Sequence, residues 1–466
     1  MHQSSPTSAP TNTAPTNTAP TKTAQLPRQL GFWSLWLLVI NGLIGAGIFG
    51  LPAGAARLAG DFSLWLYPLC ALLILPVLLC FAELASRFAG SGGPARYASA
   101  AFGPVFGFQA GWLYYLARLV SVAANSVLLV DSVSYFFPSL QCGSPRLLLL
   151  LGIIGSLTLL NVWGVRQTMR WLGTLTLIKI AVIAGFAVSG CALLLLPATP
   201  LHSIEWQPFW SYPAVSDGPA ALLLLVYAFV GFESALIPAG EAKNPQRDLP
   251  RALLLGLAVV TLLYMAVQAA CLMLLPNLAE SKTPLLEATA LAAGYWGQEH
   301  WRSAATALLM LGIIASVSAN LLGAMFSTPR LSHTLATQGQ LPAWFARVHP
   351  KFLTPANAIW FFGALTLLLA SAGSFFYLAA ATVLIRALLY GLCCLALPVL
   401  RRREPSELQL PMAVVWPWFG LMVCLWLASQ VSAASVWLTL ALLILGLVLF
   451  RWAAAQASQH KSQPDQ

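Results

Sequence analysis

Long uncharged runs of apolar residues recur along nearly the whole chain and are separated by short polar connections. Each run is long enough to cross a bilayer as a helix, because about 20 apolar residues span the hydrocarbon core. The alternating apolar and polar positions of an outer-membrane barrel strand are absent from the sequence. We therefore predict an all-α polytopic membrane protein with about twelve transmembrane helices. The predicted spans are residues 30–57, 62–86, 104–130, 146–163, 171–196, 218–240, 251–275, 303–329, 355–372, 374–400, 411–430 and 433–451.

Two of these segments contain residues that weaken a helix at membrane depth. Residues 41–52 (NGLIGAGIFGLP) hold four glycines and a proline, and each glycine costs about 1 kcal/mol in a helix. Residues 227–234 (YAFVGFES) place a glycine near an acid. Glycines also let helices pack closely, so the first stretch alone is open to both interpretations. Two interrupted segments in corresponding positions of two halves indicate the substrate site of a secondary transporter.

Composition and charge agree with a membrane protein and exclude a soluble domain. Hydrophobic residues make up 59% of the 466 residues and charged residues only 8%, with a mean hydropathy of +0.77, whereas soluble domains carry about 25% charged residues. The net charge of +10 needs no nucleic-acid partner. Most Lys and Arg fall on the side shared by both termini, which is therefore predicted to be cytoplasmic. The cations on the opposite side are Arg57, Arg146, Lys282 and Arg302.

The remaining composition sets the domain boundaries. Residues 1–27 are rich in Ser, Thr, Pro and Ala and are predicted to be a disordered cytoplasmic tail, because such a segment cannot bury a core. They lack the charged start and apolar stretch of a signal peptide. Residues 28–452 would form the transmembrane domain, and residues 453–466 a cytoplasmic tail. The eight cysteines lie mostly in apolar runs without metal-ligand spacing, so no disulfide, metal or cofactor is predicted.

Five motifs together resemble the amino acid–polyamine–organocation (APC) superfamily, and within it the bacterial amino acid permeases. They are residues 42–52 (GLIGAGIFGLP), 161–165 (NVWGV), 228–234 (AFVGFES), 241–251 (EAKNPQRDLPR) and the loop 339–355. The resemblance implies alternating access without ATP, and the sequence has no Gly-Lys-Ser/Thr phosphate loop. It also implies two inverted five-helix repeats, about 30–196 and 218–400, with the first and sixth helices broken and two extra helices at about 411–451.

The two breaks are the expected substrate site of such a permease. Peptide N–H groups at the start of a half-helix suit a substrate carboxylate; here they belong to Ile44, Gly45, Ala46 and Gly47. Carbonyl groups of the second break suit an ammonium group; these belong to Phe229, Val230 and Gly231. The rings of Tyr227 and Phe229 are candidates for a gate over the substrate, or for core packing. Ala46 stands where some relatives have a hydroxyl residue, so one carboxylate contact is in doubt.

Lys179 is a candidate for coupling. It lies about nine residues into the fifth predicted segment, too deep for its head to reach the interface easily. An intramembrane lysine is costly and indicates a function. Its position resembles that of a lysine which, in some APC permeases, occupies the space of a sodium ion. One alternative is that Lys179 replaces sodium and exchanges a proton during transport; the other is a charged strut between the first and eighth segments.

Arg118 departs from the family pattern, because relatives often carry a small or neutral residue near this point of the third segment. Arg118 and its neighbour Ala117 are candidate substrate contacts. A buried arginine favours a carboxylate partner, which could be Glu233 or an acidic substrate. Arg386 is expected to play a related structural role. Further polar candidates, equally compatible with bonds between helices, are Ser316, Ser318, Asn320 and Thr382.

The sequence thus predicts sodium-independent amino acid transport across the cytoplasmic membrane, by proton coupling or exchange. The expected partners are a small-molecule substrate and the lipid bilayer. An organic-amine or polyamine carrier is the alternative within transport, but it would need several central acids, and only Glu233 is available. A membrane-embedded enzyme would need converging acids and histidines, whereas the histidines are scattered along the sequence. A channel or a scaffold are further alternatives.

Overall fold

The chain is almost entirely helical in the computed structural model, which describes residues 30–45, 47–88, 92–163, 168–193, 217–295, 299–403, 412–431 and 433–461. Its α-helices within these ranges are α1 (Phe32–Leu43), α2 (Gly47–Ala59), α3 (Ser63–Arg87), α4 (Gly93–Phe102), α5 (Pro104–Val133), α6 (Gly143–Val162), α7 (Thr168–Ala192), α8 (Gly218–Phe229), α9 (Pro245–Leu274), α10 (Pro284–Tyr295), α11 (Glu299–Thr337), α12 (Ala356–Ala372), α13 (Phe375–Arg403), α14 (Val415–Ser429) and α15 (Ala433–Lys461). The described ranges contain no strand, only an isolated bridge between Leu30 and Ala242.

Eight helical segments of the described chain are long and apolar enough to cross a membrane. The shorter apolar helices are Phe32–Leu43, Ala356–Ala372, Val415–Ser429 and Thr439–Ala455. An all-helical polytopic membrane protein is therefore confirmed, whereas the count of twelve crossings stays a prediction. Part of the difference has a physical cause: α1 is too short to span because its segment is interrupted, and α2 continues through a short 3-10 turn into α3.

Both glycine-containing stretches interrupt a helix, as the sequence predicts. The first segment stops at Leu43 and restarts at Gly47. The sixth stops at Phe229 and continues as a 3-10 helix, Phe232–Glu241. α1 packs against this 3-10 helix, and α2 packs against α8. Because the first half of one segment lies beside the second half of the other, the two broken helices run antiparallel.

Several element boundaries differ from the sequence-based expectation. α11 continues to Thr337 and α15 to Lys461, beyond the expected span ends at 329 and 451. The residues after 451 are rich in alanine, which favours continuation of a helix. α4 and α10 are not predicted by the apolar runs, because both are too short to span a membrane. The predicted N-terminal tail lies outside the described residues.

α5 forms the centre of the helical core and positions much of the site. Nearly all of its residues from Gly107 to Val130 are buried, and it packs against α4, α11, α12 and α13. A polar side chain on α5 therefore contacts other helices rather than lipid. The broken helices pack against α3 and α9: α1 contacts α9 and α8 contacts α3, and α3 and α9 pack closely together.

Candidate functional site

The first break leaves carbonyl groups at the end of α1 that no helix can satisfy, and side chains of three other helices bond them. Lys179 on α7 donates to the carbonyl of Ile44 at 2.7 Å and to Asn41 Oδ1 at 2.9 Å. Asn320 on α11 donates to the carbonyl of Asn41 at 3.3 Å. Tyr264 on α9 donates to the carbonyl of Leu43 at 3.0 Å. The unwound backbone is therefore held by specific bonds, which explains how it is stable at this depth.

The second break is organised around the carboxylate of Glu233, which is fully buried. Arg386 Nε donates to Glu233 Oε1 at 2.9 Å, and Tyr390 donates to Oε2 at 2.6 Å. The same Oε2 accepts a bond from the backbone N–H of Gly231 at 3.0 Å. Glu233 therefore lies at the start of the 3-10 helix, where a negative charge also meets the positive end of the helix dipole.

The two breaks touch through their glycines. A methyl group at Gly42 would overlap the carbonyl oxygen of Gly231 and lie 2.8 Å from Ser234 Oγ. A methyl group at Gly231 would overlap the carbonyl oxygen of Gly42, and Gly231 has a φ of +116°, which favours glycine. Tyr264 joins the same region, because its hydroxyl lies 3.0 Å from the carbonyl of Leu43 and 3.3 Å from that of Ala228.

We expect Tyr264→Phe to destabilise the protein by about 0.5–1.5 kcal/mol, because it removes the buried O–H donor that lies between the carbonyls of Leu43 and Ala228, of which the Leu43 carbonyl keeps a bond from the Gly45 N–H. The measurement is thermal unfolding in detergent. Tyr115→Phe is the matched control, since the Tyr115 hydroxyl is also buried but has no hydrogen-bond partner in the described chain. Equal stability of the two variants would contradict the role given to Tyr264.

A small central cavity lies beside the two breaks. Its lining residues are Gly42, Leu43, Gly45, Arg118, Ser121, Asn125, Tyr227, Val230, Asn320 and Arg386. It encloses about 10 Å³, which is roughly the room for one water molecule. The structure is therefore a closed state at this point, and a larger ligand would require the helices around the cavity to move.

A chain of hydrogen bonds connects the cavity wall to Lys179. Tyr227 donates to Asn125 Oδ1 at 2.9 Å, and Asn125 donates to Asn320 Oδ1 at 3.1 Å. Asn320 in turn bonds the carbonyl of Asn41, whose side chain accepts from Lys179. The chain links α8, α5, α11, α1 and α7, so movement of any one of these helices changes the contacts of the next.

A wide vestibule of about 740 Å³ opens on one side of the central cavity. It lies at the ends of α2 and α5 and the starts of α6 and α13, and its lining includes Gly50, Leu128 and Phe375. The ring of Phe375 contacts the ring of Tyr227, with centroids 5.8 Å apart. Because Tyr227 lines the cavity and Phe375 lines the vestibule, this aromatic pair lies between the two spaces.

The structure brings some of the predicted site residues to the cavity and places others behind it. Gly45, Arg118, Tyr227 and Val230 line the cavity. The others that are described, but do not line it, are Ile44, Gly47, Ala117, Phe229, Gly231 and Glu233. Phe229 packs in the core against Tyr264, with ring centroids 5.6 Å apart. Ala46 lies outside the described residues.

The expected partnership of Arg118 with Glu233 is wrong. Glu233 forms its salt bridge with Arg386 on α13, because the face of α13 turned toward the second break carries both Arg386 and Tyr390. Lys179 bonds the first segment through Asn41, and Asn320 of the eighth segment bonds the same residue. The link between Lys179 and the eighth segment therefore passes through Asn41.

Several residues of the site were not predicted from the sequence. Asn125, Tyr264, Phe375 and Tyr390 all contact a break, the cavity or its aromatic cover. Asn125 had a detectable signal, since it is a polar residue inside an apolar segment. The others are aromatic residues among many, so their position relative to the breaks is visible only in three dimensions. Of the polar candidates on the eighth and tenth segments, Asn320 lines the cavity.

Comparisons with known proteins give a consistent result. Residues 30–450 match a protein-family model described as "Amino acid permease". The chain is 28% identical over 447 residues to the branched-chain amino acid permease BcaP of Bacillus subtilis (strain 168), covering 91% of this chain and 92% of the relative. It is 26% identical over 432 residues to the methylthioribose transporter of the same organism, covering 89% and 90%.

A further relative is a cadaverine/lysine antiporter of Escherichia coli (strain K12). The identity is 29% over 282 residues, which covers 58% of this chain and 60% of the relative. The names of these relatives describe different solutes. They agree in describing transporters.

Proposed function

The chain belongs to the amino acid permease family, and on that premise we propose that it carries amino acids across the cytoplasmic membrane by alternating access. The family and its transporter relatives place it among carriers rather than enzymes. The observation that carries the proposal is the meeting of two interrupted helices at Gly42 and Gly231 beside a closed polar cavity. Interrupted helices of this kind bind solutes at the membrane midplane in secondary transporters.

The proposed topology has twelve crossings, built from two inverted repeats of five helices and two further helices, with both termini cytoplasmic. The antiparallel arrangement of the two broken helices supports the inverted repeats. The distribution of Lys and Arg supports the orientation. In that orientation the vestibule, which is lined by Arg57, Arg146 and Lys282, opens to the side opposite the termini.

The proposed substrate contacts follow the chemistry of the breaks. The amides of residues 44–47 are proposed to bind the substrate carboxylate, and the carbonyls of residues 229–231 its ammonium group. In this closed state the N–H groups of Ile44 and Gly45 bond the carbonyls of Ile40 and Leu43, so these two amides would become available to a substrate only when the first break rearranges. Tyr227 covers the bound substrate together with Phe375. Glu233 contributes by fixing the second break through Gly231, rather than by direct contact, because its oxygens are occupied by Arg386, Tyr390 and the Gly231 amide.

Lys179 supports a sodium-independent mechanism. Its ammonium group bonds two oxygens of the first segment, Asn41 Oδ1 and the carbonyl of Ile44. Carbonyl and amide oxygens are the ligands that hard cations use. The ammonium group therefore bonds the same kind of oxygen atoms that a sodium ion would need as ligands. Coupling is therefore proposed to be to protons or to a counter-substrate.

The function is tested by counterflow with purified protein in proteoliposomes. Vesicles preloaded with one unlabelled amino acid are expected to accumulate the same labelled solute transiently, with saturable kinetics and in sodium-free buffer. Saturable counterflow distinguishes a carrier from a channel or a scaffold. Counterflow of diamines but of no amino acid would favour the organic-amine alternative. The relatives include both a branched-chain amino acid permease and a cadaverine/lysine antiporter, so diamines are included in the assay.

We expect Phe375→Ala to open the central cavity to the vestibule, because it removes half of the aromatic pair that lies between them. The measurement uses Ser121→Cys as a reporter in the cavity, with the exposed Cys142 replaced by serine. Labelling by a membrane-impermeant thiol reagent should be at least about tenfold faster with Phe375→Ala, since access to the thiolate limits its reaction. Phe376→Ala is the control, and an equal increase there would contradict the assignment.

A further inference from the structure

The walls of the central cavity carry more positive charge than the protein balances. Arg118 and Arg386 both line it. Glu233 balances Arg386 in a buried salt bridge of 2.9 Å. Lys179, also buried, bonds neutral oxygens only. The described residues around the two breaks therefore include three basic side chains, Arg118, Lys179 and Arg386, and one acidic side chain, Glu233.

Arg118 is the cation whose partner is missing. The residue is only 6% exposed, and its Nε is buried without a hydrogen-bond partner in the described chain. A guanidinium group has five N–H donors in a planar fork that matches the two oxygens of a carboxylate. Burying such a group without an acceptor is costly, and here the group borders the cavity in which a substrate would lie.

We propose that the substrate is an amino acid with a second, side-chain carboxylate, and that Arg118 binds this carboxylate. The inference rests on the proposed function. The α-carboxylate and the ammonium group of a substrate are accounted for by the two breaks and add no net charge. The side-chain carboxylate supplies the negative charge that Arg118 lacks, in surroundings where such an attraction is strong.

Other classes of amino acid fit the cavity less well. A lysine or diamine substrate would bring a further cation next to Arg118 and Arg386, and like charges placed together in a site discriminate against a ligand. A substrate with an apolar side chain would leave the guanidinium group of Arg118 without an acceptor. An anionic substrate reduces the charge excess whether or not Lys179 carries its proton.

The test compares substrates that differ in charge but hardly in shape: glutamate with glutamine, and aspartate with asparagine. In the counterflow assay, the wild-type protein should transport the acid with a kcat/KM at least about tenfold above that of the amide. Arg118→Gln should reduce this ratio to about one, whereas Arg118→Lys should retain part of it. Arg347→Gln, which removes an exposed arginine that lines neither the vestibule nor the cavity, is the matched control and should leave the ratio unchanged.

The possible results are distinguishable. Preference for the amide or for apolar amino acids by the wild-type protein would overturn this inference and leave the proposed function standing. An unchanged ratio in a folded Arg118→Gln variant would also overturn it. If that variant does not fold, the wild-type ratio decides, together with thermal stabilisation of the wild-type protein by glutamate against glutamine. No counterflow with any of the twenty amino acids would overturn both proposals.

Discussion

Gly231→Ala is expected to abolish transport and to lower the thermal stability of the protein in detergent. At a φ of +116°, a residue with a side chain carries a strain of about 1–3 kcal/mol. The added methyl group would also overlap the carbonyl oxygen of Gly42. Backbone atoms cannot rotate away as a side chain can, so the two breaks would be forced apart. The measurements are thermal unfolding and amino acid counterflow.

Gly152→Ala is the matched control for this substitution. Gly152 lies inside α6, is exposed, and has nothing within 4 Å of its added methyl group. Alanine is favoured over glycine inside a helix, so the control should be at least as stable as the wild-type protein. If Gly231→Ala matched the control in stability and transport, the direct contact between the two breaks would be disproved.

Glu233→Gln is expected to destabilise the protein by about 3–5 kcal/mol, the usual cost of removing one partner of a buried ion pair. The side chains of Arg386 and Glu233 are 2% and 0% exposed, so water cannot replace the lost charge. Arg386→Met should be similarly damaging, because it leaves the carboxylate with Tyr390 and the Gly231 amide alone. The double variant should recover part of the stability, since neither member of this pair is then left charged without its partner.

The control for the buried pair is a more exposed pair in the vestibule wall. Arg146 and Asp131 are 2.6 Å apart, with side chains 24% and 35% exposed. Asp131→Asn should cost less than about 1 kcal/mol, because solvent screens the interaction. Thermal unfolding of all four variants in detergent makes the comparison. A double variant no more stable than either single variant would show that the pair does not act as a unit.

The positions of the two breaks could be predicted because their signal is local. Glycine and proline weaken a helix wherever they occur, and residues 41–52 and 227–234 carry this signal inside apolar segments. The class of fold followed from the apolar runs alone. The same local signal did not reveal that the second half of the sixth segment is wound as a 3-10 helix, since the two helix types differ little in sequence.

The partner of Glu233 could not be predicted because it depends on how distant helices are rotated. Arg118 and Arg386 are both single arginines inside apolar segments, and each satisfies the requirement for a cation near a buried acid. Arg386 is 153 residues from Glu233 along the chain. Only the packing of α13 against the second break determines that Arg386, not Arg118, forms the pair.

The contact between Gly42 and Gly231 also constrains how the carrier can move. Neither residue has a side chain, so the two main chains are in direct contact and no side chain between them can change its conformation. The Tyr264 hydroxyl lies within hydrogen-bond distance of carbonyl groups at the ends of both α1 and α8, next to this contact. In the proposed alternating-access cycle, half-helices that tilt about this contact would open one face of the protein while closing the other.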